Sequence, residues 1–171
     1  NWSSRPGENL TMSLIWEPKG VSVKEQFFIA EIAALAIVDT LAELGIEAQI
    51  KWTNDIYVGD KKICGVLIEN RLSGSGVARS VVGIGLNIAQ SEFPDWIPNP
   101  TSIKLQTGKE QTLEEVLAIL YAKLMARYDS LVAGGSAEIE REYNSLLYRK
   151  GEEHTYNAVD YAHYILDGAY S

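Results

Sequence analysis

Residues 51–58, Lys-Trp-Thr-Asn-Asp-Ile-Tyr-Val, and residues 61–69, Lys-Lys-Ile-Cys-Gly-Val-Leu-Ile-Glu, decide the fold of this chain. Apolar and polar residues alternate over positions 48–53, which is the period of a half-buried β-strand. Gly59-Asp60 has the composition of a tight turn, and a more apolar strand follows at 63–68. The pattern therefore predicts a β-hairpin.

The alternation also predicts where the polar side chains of this hairpin lie. Ile50 and Trp52 share the apolar face of the first strand, so Lys51 is expected on the opposite face. Asn54 and Asp55 follow at the junction of the two strands, a rigid position that suits a binding site. The same residues also fit a plain structural explanation, because strand lysines are usually solvated and Asn-Asp pairs usually shape turns.

The two stretches together resemble the K-W-P-N-D and K-I-x-G-I-L-x-E signature of the biotin protein ligase family. Thr53 stands where that family usually has Pro, which removes some rigidity from the turn. The resemblance implies a catalytic domain over 1–150 that lacks its N-terminal part, including a glycine- and arginine-rich loop expected before Asn1. It also implies a partial SH3-like domain over 151–171, with 164–166 as its closing strand.

The resemblance implies an ATP-dependent ligase that works in two half-reactions. Biotin and ATP would give biotinyl-5'-AMP, and biotin would then pass to a lysine of a biotin carboxyl carrier protein, a subunit of acetyl-CoA carboxylase or a related enzyme. The first step brings two anions together and needs a cation between them. Lys51 is the residue expected in that catalytic role, in contact with the biotin carboxylate.

A second motif, Gly83-x-Gly85-x-Asn87, ends a predicted strand over 79–88. Paired glycines in a strand most often reflect close backbone packing or a bulge. The resemblance implies instead that Gly65, Gly83 and Gly85 line the biotin pocket. Asn87 is then expected to reach the nucleotide.

The remaining ligand residues are implied by the resemblance alone. Trp2-Ser3 lies in the register of a family segment whose Trp stacks on adenine, so both residues are expected to bind ATP. Asn54 and Asp55 are expected to position the phosphates. Mg²⁺ should accompany the pyrophosphate, whereas no metal site is predicted in the protein itself. His154 and His163 have no partner ligands at metal-binding spacing.

The rest of the chain predicts an α+β domain with a mixed, largely antiparallel sheet and helices packed on one face. Ser22 with Glu25, and Thr112 with Glu115, each form a capping-box sequence at a helix start. The predicted elements are a strand over 10–16, a helix over 22–44, a flexible loop over 73–76, an irregular stretch over 90–101, and helices over 112–132 and 136–148.

Composition limits the classes of protein. The chain has 171 residues, 46% of them hydrophobic, which suits one ordinary domain with a real core. A net charge of −8 disfavours binding to nucleic acids or anionic membranes. The single cysteine, Cys64, is expected to be buried and inert, which suits the cytoplasm. No apolar run approaches the roughly 20 residues that cross a bilayer.

Three other functions compete with biotin ligation. A lipoate or octanoate ligase has a similar motif, although Trp52 and the Val-Leu-Ile-Glu ending favour biotin. A transcriptional regulator that senses biotinyl-AMP would need a DNA-binding domain beyond the chain shown. A plain scaffold domain would bind no nucleotide. The resemblance leaves a homodimer open, since members of the family often extend their sheets across an interface.

Overall fold

The computed structural model describes residues 4–150, which form one antiparallel sheet with helices packed on it. The sheet order is β1-β5-β4-β3-β2, and each neighbouring pair is antiparallel. The α+β prediction with a largely antiparallel sheet is therefore confirmed. The strands are β1 (Asn9–Trp16), β2 (Gln49–Lys51), β3 (Asp55–Val58), β4 (Lys61–Ser73) and β5 (Gly76–Asn87), and the helices are α1 (Phe27–Glu43), α2 (Ile103–Thr107), α3 (Leu113–Val132) and α4 (Ser136–Ser145).

Helix α1 forms the centre of the core because it is apolar on nearly all sides. It contacts β2, β3 and β4 on the sheet and α3 and α4 on its outer side. A single 3-10 turn at Val23–Glu25 precedes it, so the predicted helix start was early by several residues. The Ser22 amide and hydroxyl both donate to the Glu25 carboxylate, at 3.0 and 2.6 Å, and hold this entry turn.

The predicted start of α3 is confirmed in detail. The Glu115 amide donates to the Thr112 hydroxyl at 3.2 Å, and the Thr112 amide donates to the Glu115 carboxylate at 3.0 Å. These reciprocal bonds satisfy two amides that the first turn would otherwise leave without partners. Hydrogen bonding from Thr112 to the Glu115 carboxylate, first from its amide, lowers the pKa of Glu115.

The predicted hairpin over 47–69 is in fact a three-stranded meander. β2 ends at Lys51, a turn covers 52–54, and β3 follows before the turn at Gly59-Asp60. Trp52 therefore lies in the turn with 44% of its surface exposed, rather than beside the buried Ile50. The placement of Trp52 on the buried face was wrong because the strand stops one residue before it.

Two further predictions are corrected by strand pairing. The expected flexible loop over 73–76 is the tight end of a long β4–β5 hairpin, in which Ser73 and Gly76 face each other. The helix predicted to reach Tyr148 ends at Ser145, because the following residues pair with β2. The Ile50 amide donates to the Leu146 carbonyl at 2.9 Å, and the Tyr148 amide donates to the Ile50 carbonyl at 2.8 Å.

In the part of the chain that the structure describes, no helix is both long enough and apolar enough to cross a membrane. The residues proposed as a partial SH3-like domain, 151–171, lie outside that part, and so does the expected adenine-binding pair Trp2-Ser3.

Candidate functional site

The register of the sheet brings four of the predicted site residues into one row across four strands. Lys51 on β2 faces Asp55 on β3, Asp55 faces Gly65 on β4, and Gly65 faces Gly85 on β5. Thr11 on β1 completes the row. Directly paired residues point to the same face of a sheet. This row lies on the face opposite the buried Ile56 and Cys64, so it is on the side away from α1.

The other residues of the glycine motif lie on the same face, each two positions along β5. Gly83 pairs with Leu67, and Asn87 pairs with Asn9 at the start of β1. Each is about 7 Å from Gly85 along the strand. Gly83 and Gly85 therefore leave a shallow floor without side chains, beside the row that carries Lys51.

Two lysines border this floor, and their surroundings differ. The Lys51 ammonium donates to the Tyr57 hydroxyl at 3.3 Å and lies 5.0 Å from the centre of that ring. The Lys62 ammonium lies 2.6 Å from the Asp55 carboxylate. Within residues 4–150 no carboxylate forms an ion pair with Lys51, so the two cations differ in how far their charge is neutralised.

Sequence analysis missed Lys62 because a β-bulge decides its direction. Tyr57 pairs with Lys62, but Ile56 pairs with Cys64, so Ile63 is the extra residue in β4. Without the bulge, strict alternation would put Lys62 on the same buried face as Cys64. Bulges are common beside active sites, where they redirect one side chain. The consecutive lysines Lys61 and Lys62 after the turn were the only sequence feature that indicated a cation here. They did not show which of the two lies on the same face as Asp55.

Asn54 is tied into the turn itself. Its amide donates to the Val66 carbonyl at 2.8 Å, and its side-chain oxygen accepts from the Thr53 hydroxyl. Its own carbonyl accepts from the Val66 amide at 2.8 Å. These bonds hold the turn against β4 and so fix the separation between Lys51 and Asp55.

Asn87 belongs to a buried polar cluster at the end of β5. Its amide donates to the Thr101 carbonyl at 2.8 Å, while neighbouring Asn9 accepts from the Ile88 amide at 3.0 Å and donates to Gln90. An open hollow of about 410 Å³ adjoins this cluster and is lined by residues that include Ser4, Arg5 and Gln90. The cluster fixes the end of the strand that carries the glycine motif.

Helix α4 supports the turn from the buried side. The Tyr143 hydroxyl donates to the Thr53 carbonyl at 3.3 Å, and its ring contacts Phe27 edge-on. Glu31 lies nearby on α1, and one of its oxygens finds no hydrogen-bond partner among the described residues. Burial, and then the charge of Glu140, raise the pKa of Glu31 to about 7. Burial, and then the charge of Glu31, raise the pKa of Tyr143 to about 12.

The remaining titratable candidates do not form a reactive centre. Cys64 is fully buried, and burial raises the pKa of its thiol well above the usual range, as expected for an inert cysteine. Residues 4–150 hold no group of three histidine, cysteine or acidic side chains that could bind a metal ion. This face thus combines two lysines and one carboxylate with a strand segment that carries two glycines.

The fold is an α+β domain in which one face of a five-stranded antiparallel sheet is covered by helices and the other carries the row of Lys51, Asp55, Gly65 and Gly85. The chain belongs to the biotin/lipoate A/B protein ligase family, whose family model matches residues 1–87.

Individual relatives place the chain more closely within that family. It is 30% identical over 148 residues to the bifunctional ligase/repressor BirA of Bacillus subtilis, covering 84% of this chain and 45% of that protein. It is 32% identical over 158 residues to the biotin–[acetyl-CoA-carboxylase] ligase of Paracoccus denitrificans, covering 86% of this chain and 64% of that protein.

A solved structure gives the same grouping. The fold superposes on the biotin protein ligase of Aquifex aeolicus in complex with biotin and ATP with a TM-score of 0.76 and 29% sequence identity, covering 89% of this chain and 63% of that one. The chain thus spans less than two thirds of the length of each of these three proteins.

Proposed function

We propose that this chain activates biotin with ATP to give biotinyl-5'-AMP and transfers the biotinyl group to a lysine of a biotin carboxyl carrier protein. The observation that carries the proposal is the row in which Lys51 and Asp55 lie beside Gly65 and Gly85 on an open sheet face. A relative named as a biotin–[acetyl-CoA-carboxylase] ligase, and a neighbour of similar fold that holds biotin and ATP, support the same substrates.

In the first half-reaction a carboxylate oxygen of biotin attacks the α-phosphorus of ATP. The new oxygen–phosphorus bond forms as the bond to the β-phosphate breaks, and pyrophosphate leaves. Both reactants are anions, so a fixed ammonium between them lowers the barrier electrostatically. We assign this position to Lys51, which lies on β2 in the same row as Gly65 and Gly85 and has no carboxylate partner among the described residues. Lys62 supplies a second cation at the opposite side of Asp55.

In the second half-reaction the amine of the carrier lysine attacks the acyl carbon of biotinyl-AMP. The carbon–nitrogen bond forms, AMP leaves, and the amine loses a proton to give the amide. Cys64 is buried on the other side of the sheet, so it cannot form a thioester with the biotinyl group on this face. Direct transfer from the adenylate to the carrier therefore fits the site.

The glycine strand suits the bicyclic part of biotin. Gly83 and Gly85 let a flat ligand lie against the backbone, where other residues would project side chains. Gly65 extends the same floor onto β4. We also propose that the nucleotide contacts Asn87, Trp2 and Ser3. The phosphates would be positioned by Asn54 and Asp55, through the turn that these two residues shape.

Magnesium does not fit a site made by the described residues. Asp55 is the one carboxylate in the row of Lys51, Asp55, Gly65 and Gly85. The Lys62 ammonium lies 2.6 Å from its carboxylate oxygen. Mg²⁺ prefers few protein ligands and several from water and phosphate. We therefore expect magnesium to arrive with the nucleotide as part of the substrate.

Pyrophosphate release tests the substrate assignment directly. The protein is incubated with MgATP and biotin, lipoate or octanoate in parallel, and pyrophosphate is measured over time. Biotin should support release and the other two acids should not. Release with lipoate but not with biotin would overturn the proposal in favour of lipoate ligation.

Addition of a carrier domain separates ligation from sensing. A ligase should release about one pyrophosphate per protein with biotin alone and many more once carrier is added, because transfer frees the site. Adenylate that forms but is never discharged to the carrier would instead support the regulatory function. The domain division at residue 150, a partial SH3-like domain over 151–171 and a cytoplasmic location remain part of this proposal.

A further inference from the structure

Lys62 lies where the sheet around it is incomplete. The ladder between β4 and β5 begins only at Cys64, and the bulge at Ile63 separates Lys62 from the regular part of β4. We propose that residues 99–102, here called the support segment, hold the backbone of Lys62 and thereby direct its ammonium toward Asp55 and the ligand. The inference rests on the proposed function and deepens it by naming what positions the second cation of the site.

The support segment takes the place of a neighbouring strand at Lys62. The Lys62 amide donates to the Asn99 carbonyl at 2.8 Å, and the Lys62 carbonyl accepts from the Thr101 amide at 2.9 Å. Pro100, between these two partners, forms a parallel bridge with Lys62. The two bonds orient the peptide groups on both sides of Lys62. Because the direction of a side chain follows from the backbone that carries it, they also fix where the Lys62 side chain leaves the strand.

The support segment is itself anchored in the core. Thr101 and Ser102 are almost fully buried. The Thr101 carbonyl accepts from the Asn87 amide at 2.8 Å, and the Thr101 hydroxyl accepts from the Gln106 amide at 2.7 Å. The Ser102 hydroxyl accepts from the Leu105 amide at 3.2 Å and caps α2. Backbone and side chains of the segment are therefore held independently of Lys62, as a positioning element requires.

Asn99 allows the backbone of the support segment to be tested without disturbing that core. Its φ is 44°, in the left-handed region that Asn and Gly tolerate and β-branched residues do not. Its side chain is exposed, whereas its carbonyl is the acceptor of the Lys62 amide. A substitution at Asn99 therefore acts on Lys62 mainly through the direction of that carbonyl.

A double-mutant cycle tests whether Asn99 acts through Lys62. Asn99→Val should lower the rate of biotin-dependent pyrophosphate release about fivefold, because a β-branched residue does not keep the left-handed φ that aims the carbonyl. Asn99→Gly, which keeps that φ, should stay within about twofold of the wild-type rate. In a Lys62→Ala background Asn99→Val should have less than about a twofold effect, because the group that it positions is gone. Leu105→Ala, at an exposed position on α2, is a further control and should leave the rate unchanged.

The outcome that would overturn the inference is an equal loss in both backgrounds, since a merely structural residue would act independently of Lys62. Equal rates for Asn99→Val and Asn99→Gly would also overturn it. Circular dichroism and thermal unfolding are measured for each variant. If Asn99→Val does not fold, the cycle is completed with Thr101→Val, which replaces the hydroxyl that accepts from Gln106. Its loss of rate should be about threefold and should again require Lys62.

A second measurement does not depend on ligase activity. The protein is acetylated with a limiting amount of acetic anhydride without substrates, and labelling at each lysine is followed by mass spectrometry. Labelling of Lys62 relative to exposed Lys109 should rise about threefold in Asn99→Val and not in Asn99→Gly, because the redirected amine loses the Asp55 carboxylate that favours its charged form. An unchanged ratio in Asn99→Val would overturn the inference. A raised ratio in Asn99→Val, together with a wild-type protein that releases no pyrophosphate with biotin, would overturn the proposed function alone.

Discussion

Asp55 on β3 and Lys62 on β4 form an ion pair of 2.6 Å beside the glycine row, and about a third of each side chain is exposed. A pair this accessible contributes little to the free energy of unfolding, because solvent screens it. On an anion bound nearby, the carboxylate and the ammonium would act with opposite sign, so Asp55 cancels much of the field of Lys62. The site therefore contains Lys62, which is paired with a carboxylate, and Lys51, which has no carboxylate partner within residues 4–150.

Loss of Lys51 should impair the chemistry and leave the fold intact. Lys51→Ala is expected to lower the rate of biotin-dependent pyrophosphate release on the order of 10²-fold, because the developing negative charge loses its cation. Lys51→Arg should recover only part of the rate, since a planar guanidinium differs in shape from an ammonium. Lys109→Ala, at an exposed lysine outside the sheet, is the control. Full activity in a folded Lys51→Ala protein would show that the chemistry is organised elsewhere.

Loss of Lys62 should slow pyrophosphate release, and additional loss of the Asp55 charge should restore part of the rate. Lys62→Ala should lower pyrophosphate release about tenfold, because it leaves the Asp55 carboxylate unpaired beside two incoming anions. Lys62→Ala combined with Asp55→Asn should be several-fold faster than Lys62→Ala alone, since the second change removes that repulsion. Rates are compared at low and at high salt, where the difference between the two variants should shrink. A double variant slower than Lys62→Ala would mean that Asp55 contacts the substrates itself.

Part of this arrangement could be predicted from the sequence: alternation put Lys51 on the face opposite Ile50, and the family resemblance put Lys51 and the glycine motif at one site. The glycine motif and Lys51 were expected at one site, and the register places Lys51, Gly65 and Gly85 in one row. What could not be predicted is local backbone geometry. The bulge at Ile63 turns Lys62 toward the row, and the early end of β2 puts Trp52 in a turn. Neither the bulge nor the end of the strand can be predicted from the alternation of side chains along a strand.

The glycine floor gives a prediction that separates binding from stability. A methyl group at Gly83 would lie 3.6 Å from the Leu67 carbonyl and 3.7 Å from its Cβ, which is ordinary contact. Gly83→Ala should therefore change the free energy of unfolding by less than about 0.5 kcal/mol. Biotin binding, measured by calorimetry, should weaken about tenfold because the methyl group projects into the floor. The control is Ala78→Val, at an exposed position near the other end of β5, which should change neither the stability nor the affinity for biotin. If Gly83→Ala binds biotin as well as the wild type, the ligand does not lie against this strand.

The buried acid Glu31 predicts how stability depends on pH. Burial, and then the charge of Glu140, raise its pKa from the ordinary value of 4.5 to about 7. The folded protein therefore holds a proton that the unfolded chain releases above pH 4.5, so the contribution to stability is complete below that pH and is lost as the pH rises through about 7. Between pH 5 and 8 the wild type should lose on the order of 2 kcal/mol more than Glu31→Gln.

Urea unfolding at pH 5 and at pH 8 gives the free energy of unfolding of each protein. The comparison uses the change between the two pH values, so any constant effect of the Glu31→Gln substitution on stability cancels. Glu138→Gln, at an exposed acid on the same helix as Tyr143 and Glu140, should keep the wild-type pH dependence. An equal loss of stability in wild type and Glu31→Gln would show that Glu31 is ionised in the folded state, despite its 4% exposure.

The pairing of residues 146–148 with β2 also has a consequence for self-association. β2 is only three residues long, and on its outer side the Ile50 amide donates to the Leu146 carbonyl while the Ile50 carbonyl accepts from the Tyr148 amide. An unpaired strand edge is a template on which another chain can add a strand, and proteins protect such edges by covering them. The segment after α4 is that cover. A chain cut between Ser145 and Leu146 would keep its core helices but expose the backbone of the strand that carries Lys51 to aggregation.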